Sequence, residues 1–420
     1  MPLSLRRRRL GTVRVAALDV QHSHRRSAVV LGPVEVPPLD TLRARFAAMS
    51  AVGPETRIGL RPATTSTCWH YAPDGPGQAV TASTMLVPGA NPVALLAELR
   101  QLPDGGIRVL ASDHYLAIDF SHGLGEIPLL DMLVAVLFGC ADAADTGLWA
   151  PYRHSVSPLL AAAVRTVALG PQRLLPLWRQ HRRNNTGPVE PTAVRGADIH
   201  PSPATRVARI PTHTVTELRR QRDSALPGVS MFALFTCALH EAFSGVGFDV
   251  DPTVTLPFDV RRYLPDGWDT LASFSAGLDF TVDRHAGPRG LHDAMTAAVG
   301  MGRPVANLAV SSVKARAAMR KDRRTEWTVS TQPQLRLLHS SIGTVPRAGW
   351  SFSDPEEARI LVASDPVGPC GVTVTTATVT GALWMTAEFH DSVFDAERVA
   401  AALNSVPTRA QSFLRSTSPT

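Results

Sequence analysis

Three of the fourteen histidines in this chain have a carboxylate four residues downstream: His70 with Asp74, His122 with Glu126, and His213 with Glu217. An imidazole is the side chain best matched to taking a proton near neutral pH, because its ordinary pKa is about 6.5. Spacing alone does not choose among the three, so their surroundings must. His70 opens HYAPDG, and Pro73-Asp74-Gly75 is a strong turn sequence, which predicts a surface loop. His213 opens HTVTELRRQ, where Thr212 or Thr214 caps a helix and Glu217 sits in its first turns, favoured there by the dipole. His122 lies in DFSHGLGEIPLLDMLVAVLFG, between the end of an alternating strand and an apolar helix. Gly123 and Gly125 beside it permit tight turns and close approach by a substrate. A junction of two rigid elements can hold an imidazole in one pose, as a general base requires. On this stretch alone, both a structural histidine and a general base fit.

The elements that must position His122 follow from periodicity. Leu116, Ile118 and Phe120 alternate on one face of a strand over Tyr115 to Phe120, which pairs with Ile107 to Leu110 as a hairpin. The helix over Ile127 to Phe138 has Pro128 in its first turn, where a missing N–H costs nothing, and Gly139 at its end. Upstream, the pattern predicts strands at Ala28–Val34 and Gln78–Leu86, with helices at Leu39–Ala51 and Pro92–Gln101. Downstream it predicts helices at Thr212–Arg220, Ser230–Phe243 and Asp395–Leu414. Strands are expected at Thr253–Phe258, Phe274–Val282, Ala358–Ala363, Val372–Val379 and Ala382–Phe389. The run Arg182 to Pro203, rich in Pro, Gly, Asn and charge, reads as a linker. The expected organisation is an N-terminal α/β subdomain at 1–181, a linker at 182–203 and a C-terminal α/β subdomain at 204–420.

Composition narrows the function classes. A chain of 420 residues with 44% hydrophobic and 19% charged residues is a globular chain too long for one ordinary core. No apolar run of membrane-spanning length occurs, and no apolar stretch follows Arg6 to Arg9, so a cytoplasmic protein without a secretory signal is expected. Cys68, Cys140, Cys237 and Cys370 lack metal-binding spacing and read as reduced thiols, with no metal site. The strings HExxH, GxSxG and GxxxxGK[ST] are absent, which removes the simplest zinc-protease, serine-hydrolase and P-loop readings. The net charge of +6 would attract a phosphate-bearing coenzyme, an acidic carrier protein or a membrane surface. Aromatics are only 6%, and no basic cluster interleaves with them, so no nucleic-acid partner is expected.

The stretch AIDFSHGLGEIPLLDMLVAVLFG resembles the active-site region of the chloramphenicol-acetyltransferase-like superfamily, whose pattern is a strand, then HHxxxDG, then an apolar helix. That group includes condensation domains, polyketide-associated acyltransferases, wax ester synthases and HxxxD acyltransferases. Other stretches resemble the family in order: TVTLPFDVRRYLP, LASFSAGLDFTVD, LHSSIGTVP and the closing GALWMTAEFHDSVFDAERVAAAL. Four positions depart from the pattern. Ser121 replaces the first histidine, Glu126 the aspartate, Ile127 the following glycine, and Ser273 an asparagine.

The resemblance implies two α/β sandwich halves in a V-shaped pseudodimer with a central tunnel. It implies that His122 takes a proton from a hydroxyl or amine as that acceptor attacks an acyl thioester, with no acyl-enzyme formed. The donor would be a coenzyme A or acyl-carrier-protein thioester, with no tightly bound cofactor. The acceptor would be an alcohol or amine, among which a lipid or polyketide is admitted, and peripheral membrane contact stays open. Glu126 would point away from substrate and pair with Arg261, or with Arg262 as fallback, supporting the turn together with Gly123 and Gly125. Ser121, Ser340 and Ser341 would line the tunnel or donate to an oxyanion, with Gly343 beside them. The competing reading is a catalytically silent condensation-like domain that binds a carrier protein or recruits a partner enzyme.

Overall fold

The computed structural model describes residues 11–73, 79–83, 92–103, 105–173, 196–198, 200–319, 328–347 and 349–416. Most of the expected linker, and part of the strand expected at Gln78–Leu86, lie outside them. Two large sheets dominate. The first has the order Arg359–Ser364, Arg26–Gly32, Leu116–Ser121, Ile107–Ala111, Val80–Ala82. All its pairings are antiparallel except the last. The second has the order Ser275–Thr281, Thr253–Asp259, Arg336–Val345, Gly371–Val379, Ala382–His390, Pro203–Ile210. Arg336–Val345 runs parallel to both its neighbours in that sheet. A small sheet of Gly11–Arg14, Cys68–Tyr71 and Leu60–Arg61 covers part of the first half.

Alternation along Leu116–Ser121 explains its central place. Leu116, Ile118 and Phe120 face one core with helices Leu39–Val52 and Ile127–Leu137. Ala117 faces the other core, under helix Pro92–Gln101. Asp119 shares that second parity and is 1% exposed. Its carboxylate accepts from Arg26 Nε at 2.7 Å and Arg108 Nε at 2.7 Å, so the buried charge is doubly paired across neighbouring strands. The second half packs its sheet against helices Thr212–Ala225, Met231–Gly245 and Ala396–Ser416.

The halves exchange structure. Strand Arg359–Ser364, C-terminal in sequence, hydrogen-bonds to Arg26–Gly32 and completes the first sheet. Leu271, Ile342, Val345 and Ile360 enter the first half's core. A further cluster joins Ala17, Leu18 and Ala162 to Val260, Phe274 and Leu308. His122 follows the last residue of a central strand, and segments of both halves converge on it.

Candidate active site

The turn after Leu116–Ser121 is shaped by backbones that approach it. A Cβ on Gly123 would lie 2.2 Å from the Asp19 carbonyl oxygen, and one on Gly125 would lie 2.3 Å from the Leu271 carbonyl oxygen. Only glycine fits at either position. Helix Ile127–Leu137 then starts with Glu126 as its N-cap residue and Pro128 in the first turn.

His122 is held by its backbone from both sides. Its N–H donates to the Arg25 carbonyl at 2.7 Å, and its carbonyl accepts from Ser273 Oγ at 2.5 Å. Its Nδ1 lies 3.2 Å from Ser27 Oγ, which in turn lies 3.3 Å from Ser364 Oγ. Nε2 makes no hydrogen bond among the described residues. The His22 ring meets the His122 ring edge to face, with centroids 5.3 Å apart. Burial pushes the His122 imidazole well below its ordinary pKa, and the Arg25 guanidinium and the neighbouring His22 and His24 imidazoles push the same way. His22 is pushed down to about 4, first by burial and then by Arg25. Both imidazoles are therefore neutral at pH 7.

Glu126 latches the turn to the second half. Oε2 accepts from Arg261 Nη1 at 3.1 Å, from the Phe274 N–H at 3.1 Å and from Ser275 Oγ at 2.8 Å. Oε1 accepts from the Ser275 N–H at 3.2 Å. Arg261, with a side chain 10% exposed, also donates to the carbonyls of Thr270 at 2.8 Å and Ala272 at 2.6 Å, and to Asp259 Oδ1 at 3.0 Å. Burial would lower its pKa, but the carboxylates of Glu126 and Asp259 outweigh burial and raise it. The fallback residue Arg262 is not the partner; Arg261 is.

Three other expected residues lie differently. Ser121 is 2% exposed, and its hydroxyl donates to the Ser23 carbonyl at 2.9 Å, so that proton is already committed. A cavity of about 520 Å³ lined by Leu60, Arg61, Ile107, Arg108 and Ser121 does not include His122. Ser340 and Ser341 lie on Arg336–Val345, where a bulge separates Ser341 from Gly343. The Ser341 hydroxyl accepts from the Gly343 N–H at 3.3 Å, and the Ser340 carbonyl accepts from Thr376 Oγ1 at 3.1 Å. No hydrogen bond joins either serine to His122 among the described residues. Of the rejected histidines, His70 lies exposed on strand Cys68–Tyr71, not in a loop, and His213 is exposed near the start of helix Thr212–Ala225.

The wall around His122 that sequence reasoning missed is the segment His22 to Ser27. It supplies an imidazole neighbour, a backbone acceptor and the Nδ1 partner. Its signal was the run QHSHRRS, dense in titratable groups directly before the apolar run AVVLG. Asp365 fixes this segment, accepting from the Arg26 N–H at 2.7 Å through its carboxylate and from Arg25 Nη2 at 2.7 Å through its carbonyl.

No protein-family model and no curated protein sequence matches the chain. Solved structures do. A trichothecene 15-O-acetyltransferase, TRI3 from Fusarium sporotrichioides, superposes with a TM-score of 0.67 at 12% identity, over 96% of this chain and 95% of its own. The condensation domain of the monacolin K polyketide synthase MokA gives 0.61 at 12% identity, over 97% and 98%. The epimerization domain from the third module of tyrocidine synthetase B gives 0.55 at 13% identity, over 97% and 98%. These likenesses establish the fold. An acetyltransferase, a condensation domain and an epimerization domain share it, so the reaction has to be argued from the site.

Proposed function

From a chain with the chloramphenicol-acetyltransferase-like fold, we propose an acyltransferase in which His122 is the general base. One observation carries this reading: Nδ1 is engaged by Ser27 while Nε2 is unpartnered, on a residue pinned between the two halves. With Nδ1–H donated to Ser27, Nε2 carries the free lone pair and can take a proton from an acceptor hydroxyl. The hydroxyl oxygen attacks the thioester carbonyl, the C–O bond forms, and the carbonyl π pair moves onto oxygen. Collapse breaks the C–S bond, and the thiolate takes the proton back from Nε2. No protein nucleophile is needed. The donor is a coenzyme A or carrier-protein thioester, and the acceptor a hydroxyl in preference to an amine. A tunnel between an N-terminal and a C-terminal subdomain would let the two substrates meet at His122.

The low pKa of His122 has a kinetic consequence. Protonation removes the base, and a depressed pKa moves that loss to lower pH. We expect kcat/KM to stay level from pH 8 down through pH 6.5, where an ordinary histidine would already be half protonated, about 6.5 being its reference value. An acidic limb centred near 6.5 would contradict the assignment. In the tautomer that leaves Nε2 basic, Ser27 accepts from Nδ1–H, so Ser27→Ala should lower kcat by roughly tenfold, the equivalent of one lost hydrogen bond, with KM little changed. An effect confined to KM would argue for substrate binding instead.

Consumption of acetyl, longer acyl and carrier-bound thioesters with a panel of alcohols and amines tests the reaction itself. A silent condensation-like domain is favoured by one feature, the Ser121 hydroxyl turned into the protein where the family pattern has a histidine. That reading predicts no thioester consumption with any acceptor, but retained binding of a carrier protein.

A further inference from the structure

Among the described residues, six of the seven exposed large hydrophobic side chains fall on or directly beside two helices that pack together. Val156, Leu160, Val164, Val167 and Leu169 are 43, 56, 59, 40 and 67% exposed, and Val313 on helix Arg303–Ala318 is 67% exposed. The spacing accounts for the row. In helix Pro158–Ala168, Ala162 and Thr166 are four apart and buried, and Ala162 joins the cluster that holds Val305 and Leu308. Leu160, Val164 and Val167 recur at i, i+4 and i+7 on the outward side. A shallow groove of about 550 Å³ runs along Val156, Leu160 and Val164 to Pro265, with the Arg165–Asp266 ion pair at its edge.

The two helices carry charge of one sign, and the carboxylate at the groove, Asp266, is paired with Arg165. Neither helix contains a carboxylate, while together they carry Arg165, Arg303, Lys314 and Arg316. Lys314 and Arg316 are exposed beside Val313. The whole chain carries a net charge of +6.

We propose that this face docks the protein on an anionic membrane surface, with the aliphatic row entering the interface and Lys314 and Arg316 meeting lipid phosphates. An apolar face bordered by cations has the composition of an interfacial helix surface. A second copy of the chain fits less well. The six side chains expose roughly 500 Å², short of the roughly 800 Å² per partner of a specific interface. Among the described residues no helix is long and apolar enough to cross a membrane, so the contact is with the surface.

The test is flotation of the full chain with phosphatidylcholine vesicles, with and without phosphatidylglycerol, at low and high salt. The unaltered protein should float with the anionic vesicles and lose much of that binding at high salt. The combined substitution Leu160→Ser, Val164→Ser, Leu169→Ser should cut vesicle partitioning at least tenfold while leaving the thermal midpoint unchanged, because these side chains are exposed. Lys314→Gln and Arg316→Gln should each cost roughly fivefold at low salt and little at high salt. Three results would overturn the proposal. The triple variant could float like the unaltered chain. The chain could sediment as a dimer that the triple substitution dissociates. Or the unaltered chain could fail to bind anionic vesicles.

Discussion

His122→Ala is expected to lower acyl transfer by about 10²–10⁴-fold, the usual cost of removing a general base, with little change in the thermal midpoint. The two halves of that statement have separate causes. Activity falls because Nε2 is the unpartnered basic nitrogen at the turn, and the nearest other imidazole, His22, has its ring centroid 5.3 Å away and does not occupy that position. Stability holds because the turn is fixed by the His122 backbone, whose bonds to the Arg25 carbonyl and the Ser273 hydroxyl survive in alanine. The matching control is His70→Ala, on an exposed strand position, which should leave turnover unchanged. Turnover of His122→Ala within threefold of the unaltered protein would remove His122 from the mechanism. An equal collapse in His70→Ala would move the site.

Glu126→Ala should carry the largest stability cost at the site, about 3–5 kcal/mol, the range for breaking one side of a buried ion pair. An exposed pair would cost no more than about 1 kcal/mol. The larger figure applies because the Glu126 and Arg261 side chains are only 12% and 10% exposed. Removing the carboxylate also strands the Phe274 and Ser275 N–H groups and the Ser275 hydroxyl. Glu126→Gln should not rescue it. The groups around the carboxylate are the Arg261 guanidinium, two backbone N–H groups and the Ser275 hydroxyl, and only the hydroxyl could accept from an amide NH2 placed there. Glu126→Asp is the informative conservative change. One methylene shorter, it cannot keep Arg261 and both backbone N–H groups together, so an intermediate loss is expected even though aspartate is the residue the family pattern carries. Urea unfolding of the three variants measures this, with kcat falling in the same order as the turn loosens. If Glu126 were itself an acid or base, Glu126→Gln would instead abolish turnover at unchanged stability and alter the pH profile.

What sequence made legible at the site is what local physics sets. Strand, turn and helix from Leu116 to Leu137 follow from a two-residue apolar alternation, two glycines and a proline in a first helical turn, all within one short stretch. Helix Pro92–Gln101 matches its expected bounds, and the strands at Thr253–Asp259, Gly371–Val379 and Ala382–His390 shift by a residue at one end, because each has its period written in it. The Glu126–Arg261 pair spans 135 residues and is invisible to periodicity. It was expected only through the family resemblance, as was the place of His122.

Other features are decided by tertiary structure. Strand parity settles Ser121: as the residue after Phe120 it takes the side opposite the Phe120 core, and its hydroxyl meets the Ser23 carbonyl, a partner 98 residues away. Ser27 reaches His122 because Arg26–Gly32 pairs with Leu116–Ser121, and Ser364 reaches Ser27 because a strand from the far end of the chain completes the first sheet, a pairing set by register between Arg359–Ser364 and Arg26–Gly32. His22 stands beside His122 because a short helix packs between the halves, and burial there sets the protonation of both rings. The sequence by itself therefore determined the strand, turn and helix around His122 and which histidine terminates a rigid junction, since these depend on neighbours within a few residues. Tertiary structure alone decided which nitrogen of that histidine is free, how basic it is and what walls it, since these depend on desolvation and on contacts between segments about 100 to 340 residues apart.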